Sequence, residues 1–208
     1  MRKVTVYIDY KSPYAFLAKD LIYAMGEATG AELDLLPYTL DIPSYLGSAE
    51  VGADKQVIRA ERSPHQWRKV RYSYMNARRE ANKRGLTLRG PQKIWNSSIA
   101  AIGLLWAKRQ GSAVLKRYTD RVYERFWRRE LDIEDPKVVE AVLAEAGADA
   151  AGFAAFLAGP GRAEHDAIRA AAEEAGLFGV PSFVIDGELF WGGEHIPEIQ
   201  ARLLATPA

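Results

Sequence analysis

Val4-Thr5-Val6-Tyr7-Ile8-Asp9-Tyr10-Lys11-Ser12-Pro13-Tyr14 is the stretch around which the chain is arranged. Residues 4 to 8 are β-branched, aromatic or aliphatic without interruption, which predicts a strand buried on both faces. Ser12 and Pro13 then give a helix start, a hydroxyl N-cap followed by proline at the first helical position. Apolar residues from Ala15 through Phe16, Leu17 and Ile22 to Met25 carry that helix onward. A strand that feeds a helix so quickly exposes the helix N-terminus at the carboxyl end of a sheet. Open α/β sheets place ligands there, and the free N–H groups favour an anion. Ser12 is therefore the first candidate site residue. Its plainer role, a cap and nothing more, is the commoner one for such a serine.

Beyond the helix, Gly30 is a C-cap and Leu33 to Tyr38 reads as a second strand, completing a βαβ unit with parallel strands. Residues 39–62 lack a period and are expected to form a long loop with one short helix. Ser63-Pro64-His65-Gln66 is a capping box. The helix it opens runs to about Arg84 and is basic, with Trp67, Val70, Tyr72 and Tyr74 interleaved. Further helices are expected from Asn96-Ser97-Ser98, from Ser112, from Asp135-Pro136, from Asp149 to Leu157, and over 162–175. Gly159-Pro160-Gly161 reads as a break. At the C-terminal end the period changes. Ser182 to Ile185 and Glu188 to Trp191 flank Asp186-Gly187, a hairpin signal. Gly192-Gly193 and a last helix from His195 to Leu204 follow. The order is βαβ, helices, then αββα. The simplest α/β packing joins 1–40 and 162–208 around one sheet and leaves 41–161 as an all-helical insertion.

Composition narrows the chemistry. The chain has 208 residues, a net charge of +1 and no cysteine. Absence of cysteine excludes a disulfide framework, a protein thiol nucleophile and a Cys-based zinc site. His65, His165 and His195 are too dispersed for a local metal motif, so no metal is expected. The balanced charge argues against nucleic acid. No apolar run reaches the ~20 residues of a membrane span, and the N-terminus lacks a signal-peptide pattern, so a cytoplasmic protein without a membrane partner is expected.

Phe178-Gly179-Val180-Pro181-Ser182-Phe183 precedes the hairpin. Proline at the first residue of a strand costs no ladder bond. If the Val180–Pro181 bond is cis, the chain turns sharply and Val180 presents its N–H and C=O to a peptide that pairs as an added strand. Most X-Pro bonds are trans, the plainer reading.

The Ser-Pro-Tyr helix start, the Val-Pro before a hairpin, the Gly-Gly-Glu-His opening of the last helix and the helical insertion together resemble thioredoxin-like proteins of the DsbA family. Within it the chain resembles the group of 2-hydroxychromene-2-carboxylate isomerases and kappa-class glutathione transferases. That resemblance implies a thioredoxin-like fold and glutathione as a cofactor that brings the missing thiol. It implies that Ser12 donates to the sulfur and that the backbone at Val180 and Pro181 pairs with the cysteinyl part. It implies that Gly193 and Glu194 meet the γ-glutamyl end. There this chain has Glu194-His195 where the family often has Asp-Arg. The glycine carboxylate needs a cation, for which Lys69 or Arg71 match best and Lys55 less well. Tyr14, Tyr72 and Asn96 are candidates to contact substrate, with Tyr10 and Trp95 near; Asn96 also reads as a helix cap. The expected activity is ring-opening isomerisation of an aromatic carboxylate through transient addition of the glutathione thiolate. The alternatives are a kappa-like transferase that conjugates electrophiles, and a non-catalytic thioredoxin-like binding protein. Relatives of this kind are commonly homodimers.

Overall fold

The computed structural model describes residues 2–52, 54 and 56–205. Strand β1 (Lys3–Ile8) leads into α1 (Pro13–Thr29) and then β2 (Glu32–Pro37). β1 and β2 pair in parallel from Lys3 opposite Glu32 to Ile8 opposite Pro37. β2 is an edge strand, so Pro37 at its end costs no interior ladder bond. Val4, Val6 and Ile8 are buried while Thr5 and Tyr7 are half-buried, so β1 has one sealed face and one partly covered, rather than the two sealed faces its apolar run predicts.

A short helix α2 (Ile42–Leu46) follows, and then β3 (Ser48–Val51) and β4 (Val57–Glu61) pair as an antiparallel hairpin. The insertion is therefore not wholly helical, and 39–62 is not simply a loop. Every residue of β4 is exposed. With no face to bury, the strand has no need of alternation, and its pattern carries no signal.

Helices α3 (Pro64–Lys83), α4 (Ser98–Lys108), α5 (Ser112–Trp127), α6 (Pro136–Glu145), α7 (Phe153–Ala158) and α8 (Pro160–Glu174) complete the middle of the chain. The capping box opens α3 as expected: Ser63 accepts from the Gln66 N–H and Gln66 from the Ser63 N–H. α8 begins at Pro160, inside the expected break. Gly161 there is a packing residue, because a Cβ on it would lie 2.5 Å from the Phe156 ring and 2.7 Å from Ile102. α4 and α8 both pack on β2, and α1 on α3. One continuous apolar core runs through the sheet and these helices.

β5 (Ser182–Ile185) and β6 (Glu188–Trp191) form the C-terminal hairpin, followed by a 3₁₀ turn (Gly193–His195) and α9 (Ile196–Leu204). Asp186 and Gly187 both have positive φ, 52° and 81°, which the two-residue primed turn demands. The sheet order is β2-β1-β5-β6. β5 lies antiparallel to β1 with Tyr7 opposite Ser182. That register carries the residues before β5 to the turn between β1 and α1.

Asp34 ties three elements together. It pairs with Lys108 of α4 and, at 2.7 Å, with Lys3 of β1. Partial burial pushes its carboxyl up, but the hydrogen bonds from Lys108 and Lys3 outweigh that and hold it below the ordinary aspartate value of 3.8. A depressed folded-state pKa gives stability that is present above the unfolded value and lost as pH falls through the folded one. Asp34→Asn is expected to be less stable than wild type at neutral pH. Its stability should also change less steeply below the unfolded aspartate pKa, as read from urea midpoints across acid pH.

Candidate active site

The turn from β1 to α1 is closed by a hydrogen bond from the Ser12 N–H to the Asp9 carbonyl, 3.0 Å. Tyr123 donates to the same carbonyl at 3.3 Å. Ser12 is the N-cap of α1, and its Oγ accepts from the Ala15 N–H at 3.2 Å. Its single proton goes to the Val180 carbonyl, also at 3.2 Å. Ser12 is thus both cap and wall: it is 4% exposed, and the surface it keeps faces a large cleft. No acidic residue stands in the first turn of α1, and the Tyr14 N–H meets no acceptor among the described residues. An anion at this helix end meets open donors and the positive end of the dipole.

The Val180–Pro181 peptide bond is cis. The Val180 N–H has no acceptor among the described residues, and its carbonyl takes only the Ser12 hydroxyl. These are the groups an added extended peptide pairs with. Pro181 uses its own carbonyl to accept from the Gly192 N–H at 2.9 Å, which sets the glycine pair beside it. The Gly193 and Glu194 N–H groups find no acceptor among the described residues either. The Glu194 side chain folds back over Gly192, whose Cβ would lie 2.2 Å from the carboxylate.

All of this opens on one cleft of about 1660 Å³ between α1, α3, the segment after β2 and the start of α9. Single-ligand pockets usually occupy ~300–1,000 Å³, so two ligands fit side by side. Seven basic side chains line it, against the two acids Glu80 and Glu194. The imbalance favours anions. Tyr74, at its wall, has its phenol pushed up to about 12 by burial, partly offset by Arg62 and Arg78. Burial also pushes the Arg62 guanidinium below its ordinary value.

Of the residues expected at a site, the structure brings Ser12, Tyr14, Lys69, Tyr72, Val180, Pro181, Gly193 and Glu194 to this cleft. Trp95 lines it as well. Arg71 and Asn96 do not. Residues two apart on a helix point to different sides, so Lys69 and Arg71 cannot both face in; Arg71 instead lies 5.8 Å from the Trp67 ring centre. Asn96 is spent on structure, its Oδ1 accepting from the Ser98 N–H at 3.0 Å and its N–H donating to Glu134. Tyr10 is core: it is fully buried and packs edge-on against Tyr118 and Tyr123. Lys55 lies outside the described residues. Sequence reasoning passed over Lys11 and Arg62, and over the Phe178–Trp191 ring pair, 4.8 Å apart at the rim. Trp191 was legible only as a strand residue, and Phe178 only as part of the segment before the hairpin.

The chain is 24% identical, over 98% of both lengths, to 2-hydroxychromene-2-carboxylate isomerase of Sphingobium xenophagum. Its fold matches a solved 2-hydroxychromene-2-carboxylate isomerase with a TM-score of 0.73 at 21% identity, covering 97% of this chain and 94% of the other. It also matches the cytosolic disulfide reductase DsbM of Pseudomonas aeruginosa with GSH, TM-score 0.63 and 18% identity, over 97% and 96% of the two chains. The model of the DSBA-like thioredoxin domain matches residues 3–204. With the βαβ and ββα halves in one sheet and a cis proline beside the first helix, the chain belongs to the DSBA-like thioredoxin domain family.

Proposed function

We propose that this protein is a glutathione-dependent isomerase acting on an aromatic carboxylate of the 2-hydroxychromene-2-carboxylate type. The observation that carries the reading is the placement of Ser12 against Val180 at the open end of α1 in a chain without cysteine. A hydroxyl donor at an open helix N-terminus suits a thiolate, and with no cysteine in the chain that thiolate has to come from a ligand. Glutathione bound there would supply a thiolate as a transient nucleophile, and this chain's part would be to hold that sulfur ionised at Ser12 and to orient it toward the substrate.

The residues present fit the tripeptide. The unpaired Val180 N–H suits the cysteinyl backbone. The Gly193 and Glu194 N–H groups suit the γ-glutamyl carboxylate, and the Glu194 carboxylate suits its amino group. Lys69, which has no carboxylate partner among the described residues, suits the glycine carboxylate. Ser12 then turns its proton from the Val180 carbonyl to the sulfur. That exchanges a neutral hydrogen bond for a charge-assisted one, which is stronger. Together with the α1 dipole, it holds the sulfur ionised below the ~8.5 of a free thiol. The likeness to an isomerase supports isomerisation over conjugation.

Because ionised sulfur is favoured in the site, glutathione affinity should rise with pH up to the free thiol pKa, with a proton released on binding. Calorimetry in buffers of different ionisation enthalpy measures both. Turnover with substoichiometric glutathione distinguishes the reactions. Isomerase activity leaves glutathione unconsumed, whereas a transferase depletes it. No binding at millimolar glutathione rules out the proposal.

A further inference from the structure

Lys11 sits directly before Ser12 and is only 8% exposed, yet it lines the cleft. Its ammonium pairs with the Asp9 carboxylate at 3.5 Å. That carboxylate is already engaged, one oxygen by the Lys11 N–H at 3.2 Å and the other by the Leu40 N–H at 2.8 Å. The ammonium makes no other ion pair and no hydrogen bond among the described residues. A buried cation with unused donors is under-solvated, and an anion in the cleft relieves that. Among the described residues, Asp9 is the carboxylate within ion-pair distance of it.

The position of the ammonium also separates it from the groups assigned to glutathione. β1 lies between β2 and β5. Val180 and Gly193 stand on the β5 side. Asp9 reaches across to Leu40, just past β2, and draws Lys11 to that side, where Leu40, Ile42 and Tyr45 continue the cleft wall.

We propose that Lys11, held by Asp9, is the anchor for the carboxylate of the second ligand, the substrate of the reaction proposed above. It makes the cleft selective for an aromatic acid over its neutral counterpart. This rests on the proposed function for the word substrate, but not for the anion site itself.

The test is calorimetry with trans-cinnamate and cinnamamide, each with and without S-methylglutathione, which fills the cofactor position without a reactive thiol. Wild type should bind the acid at least about tenfold more tightly than the amide, as expected for a desolvated charge pair. Lys11→Met should bring the two within about twofold, and Lys11→Arg should keep most of the preference. Lys11→Met strands the Asp9 charge, so the double variant Asp9→Asn/Lys11→Met provides a second, charge-matched comparison. Neither variant should change glutathione affinity. Equal binding of acid and amide by wild type overturns the proposal. So does a preference that survives in both Lys11→Met and the double variant. A tenfold loss of glutathione affinity without loss of the acid preference also overturns it, because it assigns Lys11 to glutathione. Failure of the glutathione arm alone counts against the proposed function and leaves the cinnamate arm to be read by itself.

Discussion

Ser12→Ala is expected to reduce kcat/KM for glutathione-dependent turnover about 100-fold, the usual cost of removing one donor aimed at a developing or held anion. The loss should fall on kcat. Glutathione is held along its length by Val180, the Gly193–Glu194 turn and Lys69, so its affinity at high pH should change only a few-fold. The same substitution deletes the N-cap of α1. That costs about 1 kcal/mol of stability, far too little to unfold a chain of this size. Ser12→Thr keeps the hydroxyl and the cap and should recover part of the rate. A role confined to capping predicts a lower Tm for Ser12→Ala with kcat intact. Stopped-flow turnover and a thermal melt on one sample separate the two.

Trp127→Ala should give the largest stability loss among single substitutions near the site, about 3–5 kcal/mol, as for other fully buried aromatic truncations. For a chain of this length that is a fall in Tm of roughly 6–20 °C. Trp127 is fully buried at the end of α5. It stacks on Phe16 of α1 at 6.0 Å with the rings 17° apart, and meets Phe126 edge-on at 5.3 Å. It also lies 6.5 Å from Tyr74 of α3. One ring therefore joins the helix that carries Ser12 to the helix that carries Lys69. Its indole N–H is buried without a partner among the described residues. Trp127→Phe gives up area but also removes that unsatisfied donor, so it should cost less than about 1.5 kcal/mol. A urea series on the two variants reads the difference directly. Equal losses would mean that the ring does not bridge the two helices.

The parts of the fold that were legible in the sequence are those whose signals are local. Ser12-Pro13 and Ser63-Pro64 mark helix starts because a hydroxyl and a proline satisfy the first turn by themselves. Asp186-Gly187 marks a hairpin because few residue pairs tolerate two positive φ angles. What was not legible either buries too little to leave a pattern or depends on partners elsewhere in the chain. β3 and β4 bury little and so leave no period. Gly161 looks like a breaker until Ile102 and Phe156 close on it. The choice between Lys69 and Arg71 turns on which face of α3 meets α1, and no spacing within α3 decides that. Lys11 is buried because Asp9 reaches Leu40, 31 residues on. The core of the site, Ser12 with Val180, was legible only through the resemblance of two separate motifs. Its physical cause is the register of β5 on β1.

The central claim is that the start of α1 holds a borrowed sulfur in its ionised form. Titrating the thiolate absorbance of glutathione bound to the wild-type protein measures this with no substrate present. The account predicts a midpoint at least about one unit below the ~8.5 of a free thiol, moving back toward that value in Ser12→Ala. Saturable binding with the thiol titrating as it does in free solution would contradict it.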